Sequence, residues 1–145
     1  MTRIVEEITL QVKANSIENA FSKIAIEMFN IVINTADIDL ITTKTIIIRS
    51  RDLKHLLCQL LKRLFDLANN ELFVLAAVKS LTIEKIGTEY MLNSILIGDK
   101  MKPEYQVKDI IKQVTDRNLD VKETMEGTFA QINLVVERRI VKDEI

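Results

Sequence analysis

His55 and Cys58 are the single histidine and the single cysteine of this 145-residue chain, and both fall inside one leucine-rich stretch. A metal or catalytic site built from several histidines is thereby excluded. One cysteine cannot cross-link its own chain, and the apolar neighbours of Cys58 predict that it is buried as a small hydrophobe. No nucleophile–base pair can be assembled, because the only histidine sits beside the buried stripe of a helix and reads as a surface or boundary residue. Carboxylates come in adjacent pairs, Glu6-Glu7 and Asp143-Glu144. Such pairs read as solvated charge rather than as an acid–base dyad. Scattered carboxylates can hold a hard divalent ion through oxygen, but no local spacing here makes an ion-binding loop. With 3 glycines and 1 proline, the chain has no glycine-rich turn able to cradle a phosphate or a dinucleotide. A net charge of -1 and a pI near 5.9 supply no basic field, so direct nucleic-acid binding is not expected.

The elements that must carry these side chains are easier to read. Leu53, Leu56, Leu57, Leu60, Leu61 and Leu64 recur at helical spacing, with Lys54, Gln59, Lys62 and Arg63 on other faces. Asp52 stands where a helix N-terminus favours negative charge, and Asn69-Asn70 supplies a stop. The spacing predicts a helix over 51–68. An earlier helix over 16–31 follows from Ile17, Ala20, Phe21, Ile24, Ala25, Met28 and Phe29, with Asn15-Ser16 as its cap and Glu18 in the first turn. Ile8, Leu10 and Val12 alternate with Thr9, Gln11 and Lys13, which predicts a half-buried strand over 4–13.

Further strands are expected over 38–49, where Ile and Thr dominate, and over 72–86 and 88–97, separated at Gly87. A polar loop over 99–104 contains Pro103. Strands over 107–115, 118–122 and 129–136 complete the chain, with Met125-Glu126-Gly127 as a hairpin connection. Residues 108–115 are also compatible with a helix. At 48% hydrophobic and 28% charged residues the chain is globular rather than disordered, and no linker or repeat divides it. The expectation is a single domain over 1–145 of class α+β, two amphipathic helices packed on a mixed, largely antiparallel sheet. Arg3, Glu6 and Glu7 interrupt any secretory pattern at the start, and no run approaches the ~18 apolar residues of a membrane span. The expected compartment is the cytoplasm.

The helix-to-strand segment DLKHLLCQLLKRLFDLANNELFV, residues 52–74, resembles a pattern of "DL, two polar, LL, two variable, WL, two polar, LL" closing on an acidic turn and "FV". That pattern is found in the archease family, small proteins that assist RtcB-type RNA ligases. Other pieces stand in matching order. SIENAFSKIAIEMFNIV, residues 16–32, resembles the family's "SLEEAFENAALAMFDLM" helix. Ile97-Gly98-Asp99 resembles a "GE" step, residues 109–115 resemble "TEVKAVT", residues 118–121 resemble "GLEV", and residues 129–137 resemble the last strand that ends in "DI".

The resemblance implies a non-enzymatic accessory protein that promotes guanylylation and turnover of an RtcB-type ligase in tRNA splicing. It also implies a divalent ion, calcium or similar, held by acids of the first and last strands. Those acids are the most altered part. The family's first-strand "DHTAD" aligns with Arg3, Ile4, Val5, Glu6 and Glu7, so the metal candidates become Glu7 and Glu137, with Asp143 as an alternate. Lys112, Asp99 and Thr115 are the implied partner-facing residues, Thr115 also reading as structural. Two outcomes follow: a weaker metal site at Glu7 and Glu137, or an archease-fold interaction module, a homo-oligomer or subunit, without metal or ligase activation.

Overall fold

The Ser16 hydroxyl accepts a hydrogen bond from the Asn19 backbone N–H at 3.1 Å and so opens helix α1, Ile17–Val32. The computed structural model describes residues 2–140. Asp52 does the same for α2, Leu53–Asn70, accepting from His55 N–H at 2.8 Å. A cap of this kind contributes about 1 kcal/mol by satisfying a donor the helix cannot pair itself. Bonds from the backbone and side chain of His55 also hold the Asp52 carboxyl below its usual range.

The strands are β1 (Thr2–Ala14), β2 (Thr42–Ser50), β3 (Phe73–Ile86), β4 (Glu89–Lys100), β5 (Ile110–Val114), β6 (Asp120–Thr124) and β7 (Gly127–Ile140). The α+β class is as expected. The strands divide into two sheets, and every pairing among the described residues is antiparallel. In one sheet β7 pairs with β1 on one side and with β5 and β6 on the other; in the second the order is β2-β4-β3. Both helices touch strands of both sheets.

The leucine stripe is the centre of the core. Leu56, Leu57, Leu60, Leu61 and Leu64 are fully buried, with Cys58 alongside, and they pack with Phe21, Ile24 and Met28 of α1. Burial pushes the Cys58 thiol up. Full burial of such a side chain contributes about 1.5–3 kcal/mol. The core-facing residues of β7, Ala130, Ile132, Leu134 and Val136, alternate with its outer residues as a pleated strand requires.

Element edges shift where backbone groups find partners outside the regular elements. The chain over 38–41 is not strand, because Asn34 caps a short 3-10 turn at Thr35–Asp37 and β2 begins only at Thr42. Residues before Ile110 are not strand either: Lys108 and Asp109 donate their backbone N–H groups to the carbonyls of Val32 and Ile31 at the end of α1. Asp99 belongs to β4, opposite Val74, rather than to the loop that follows.

Candidate functional site

Pairing of β1 with β7 sets Thr9 opposite Asn133, Glu7 opposite Val135 and Val5 opposite Glu137. Opposed residues in an antiparallel pair point to the same side, so Glu7 and Glu137 rise as diagonal neighbours from the face turned away from the core. The two acids that the resemblance singled out, 130 positions apart in sequence, are thus brought onto one surface.

Both carboxylates are already engaged. Glu137 Oε2 lies 3.2 Å from Arg3 Nη1. Glu7 is held at both oxygens, by Arg117 Nη2 at 2.6 Å on Oε1 and by Asn133 Nδ2 at 2.5 Å on Oε2. Asn133 is buried, and its Oδ1 accepts from the Thr9 hydroxyl at 2.7 Å and from Asn118 Nδ2 at 3.3 Å. Arg117 is set by its own backbone: its N–H donates to Thr115 Oγ1 at 3.1 Å, and its carbonyl accepts from Asn133 N–H at 3.1 Å. Asn118, at φ 54, turns the chain in the left-handed region that asparagine tolerates.

Among the described residues no group of three or more His, Cys, Asp or Glu side chains is placed to hold a metal. The donor set argues the same way. Two glutamates surrounded by guanidinium and amide N–H groups do not fit a hard cation that needs six or more oxygens. Asp143 lies outside the described residues.

The other expected residues are dispersed. Thr115 is buried, donates its hydroxyl to the Asn133 carbonyl at 3.3 Å, and orders the turn that carries Arg117. Lys112 falls at the β5 bulge between Ile111 and Gln113, exposed and with no partner among the described residues. Asp99 is buried elsewhere. It accepts from the Tyr105 hydroxyl at 2.6 Å and from Lys100 N–H at 2.7 Å, with Lys102 Nζ 3.3 Å away. The Tyr105 bond leads in holding its carboxyl below the usual range. Asp99 organises the loop after β4.

Farther along the same face, Gln11, Phe129 and Gln131 continue into a hollow of about 270 Å³ with Asp120, Lys122 and Thr124 on its other side. Burial raises the Asp120 carboxyl, but hydrogen bonding and charge from Lys54, with Lys122 nearby, outweigh it and leave it lowered. Asn133, Arg117, Thr9 and Asn118 were not singled out from sequence. The one signal was a polar residue, Asn133, set between Ile132 and Leu134 in an apolar strand, and alternation alone explains that as an outward residue.

A family model for the archease protein family matches residues 7–136. The match begins at Glu7 and stops one residue short of Glu137. The chain is 29% identical over 131 residues to the Protein archease of Methanosarcina barkeri, covering 87% of each chain. It is 25% identical over 116 residues to that of Pyrococcus abyssi, covering 79% of this chain and 81% of the relative. The solution structure of Methanobacterium thermoautotrophicum protein 1598 superposes with a TM-score of 0.78 at 17% identity, over 92% of this chain and 97% of the other. With a family match over nearly its whole length and the same fold, the chain belongs to the archease family.

Proposed function

We propose that the chain is an archease-type accessory protein that promotes guanylylation and turnover of an RtcB-type RNA ligase in tRNA splicing. The observation that carries the reading is the family match over residues 7–136. The face of β1 and β7 supports it as the docking surface, because its polar side chains are held in place by Asn133 before any partner arrives. Preorganisation of that kind lowers the cost of association. Lys112, exposed at the β5 bulge and without a side-chain partner among the described residues, can meet a partner's acid or a phosphate. The proposal assigns no catalytic group to the chain; it acts by binding.

A multiple-turnover ligation assay with the cognate ligase tests this. Stoichiometric protein should raise the number of ligations per enzyme, and unchanged turnover would sink the reading. One observation favours a second reading, a protein-interaction module without a role in ligation: both family-implied acids are paired with arginines. Under that reading the ligase assay shows no stimulation while the protein still captures a partner of another kind.

A further inference from the structure

Each of the three acids of the β1–β7 ribbon meets an arginine of the ribbon or of its adjoining turn. Glu137 meets Arg3, Glu7 meets Arg117, and Glu6 meets Arg138 at 2.8 Å. Each acid is neutralised by its arginine and Arg139 of β7 adds a further positive charge, so the group does not draw a divalent cation. Of the four oxygens of Glu7 and Glu137, three already face N–H donors. The donors are built in. Arg3 is part of β1 itself, and the backbone of Arg117 is clamped at its N–H by Thr115 and at its carbonyl by Asn133.

We infer that the guanidinium groups of Arg3 and Arg117 occupy the place a divalent ion would take between the first and last strands, making this chain a cation-independent member of its family. The positive charge that orders the two acids is carried covalently. Arg3 is the decisive exchange, since it stands on the outer face of β1, two positions before Val5, the residue opposite Glu137. An acid at that position would lie diagonal to Glu137, with Arg139 directly opposite, and would put a second carboxylate where the chain now places a guanidinium. The order of this face then does not depend on metal supply. The inference rests on family membership and on the register, not on the ligase reading.

Thermal unfolding of the full chain in EDTA and in millimolar calcium, magnesium or manganese tests it. Wild type should melt at the same temperature in all four, and calorimetry should register no saturable heat. Arg3→Asp should melt lower in EDTA and recover several degrees with calcium, because an ion that binds only the folded form stabilises it by mass action. Arg3→Ser should melt lower without recovery, which separates ion binding from simple loss of the ion pair. A saturable calcium-dependent rise in wild type that disappears in Glu7→Gln would overturn the inference. So would an Arg3→Asp protein that folds but melts alike with and without every cation. Because the readout is binding coupled to unfolding, a failed ligase assay leaves this result untouched, and the reverse also holds.

Discussion

Asn133 donates to Glu7 across the β1–β7 ribbon at 2.5 Å, although the register sets it opposite Thr9 and not opposite Glu7. The diagonal reach lets one buried amide engage Thr9, Glu7 and Asn118 together, tying β1 and the β5–β6 turn to β7. Removing this amide breaks three side-chain hydrogen bonds at once, to exposed Glu7, Thr9 and Asn118.

Asn133→Ala should destabilise by about 1–3 kcal/mol, chiefly through loss of the charge-assisted bond to Glu7. Urea unfolding measures it. Thr9→Val removes one donor from the same network and should cost less, about 1 kcal/mol. A Thr9→Val loss as large as that of Asn133→Ala would contradict the central place given to the amide.

Gly98 gives a steric prediction. A Cβ built there would lie 1.9 Å from the Val74 carbonyl oxygen, a backbone atom that cannot swing aside. Gly98→Ala should fall at the upper end of overpacking costs, about 3 kcal/mol, with a correspondingly lower melting temperature. Gly87 has open space around it but sits at φ 62, so Gly87→Ala should cost only the left-handed strain of about 1 kcal/mol.

Leu72 follows α2 at φ 58, a conformation in which a leucine side chain is strained, and it is 47% exposed. Leu72→Gly exchanges that strain for greater chain freedom, and Leu72→Asn relieves part of it with less entropy loss. Leu72→Asn should be neutral to stabilising, by up to about 1 kcal/mol. Chemical denaturation of the two variants beside wild type checks the order.

The Asp99 carboxyl, lowered chiefly by the Tyr105 hydroxyl, sets an acid limit for the loop after β4. Its folded value lies below the ordinary 3.8. The stability it contributes is thus present above that ordinary value and lost as pH falls through the folded one. Melting temperature should drop on acidification through this window in wild type. Asp99→Asn should melt lower at neutral pH and show a shallower acid slope; equal slopes would show that other carboxyls dominate.

Lys112→Ala should leave stability within about 0.5 kcal/mol, as for an exposed side chain without a partner among the described residues. Under the proposed function it should reduce ligase stimulation. Full stimulation by a folded Lys112→Ala protein would remove Lys112 from the docking surface.

Much of the fold was legible because helices and hairpins declare themselves locally. Ser16 caps the helix it was expected to begin, Asp52, expected as a favourable charge at the start of a helix over 51–68, caps α2 from just outside it, and Gly87, at φ 62, turns β3 into β4. The Met125-Glu126-Gly127 connection joins β6 to β7, braced by Thr124 Oγ1 donating to the Gly127 carbonyl at 2.9 Å. Boundaries failed where a distant partner claimed the backbone. The strand expected from 107 starts at Ile110 because α1 takes the Lys108 and Asp109 N–H groups, and no window of local sequence contains that contact. The stop expected at Asn69-Asn70 is used as the last turn of α2, and Leu72 takes the left-handed step instead.

The same division holds for the site. Sequence by itself determined the helices and the leucine core, because residue type and spacing carry that information directly, and its resemblance to the family pattern marked Arg3 and Glu7 as exchanged positions. Only the tertiary structure decided what the exchange means. Arg3 meets Glu137 across 134 positions, and Arg117 reaches Glu7 from a turn shaped by Thr115 and Asn133. Ion pairing depends on distance and burial, which strand register sets and sequence order does not, so a residue can look like a lost ligand in the chain and prove to be a partner in the fold.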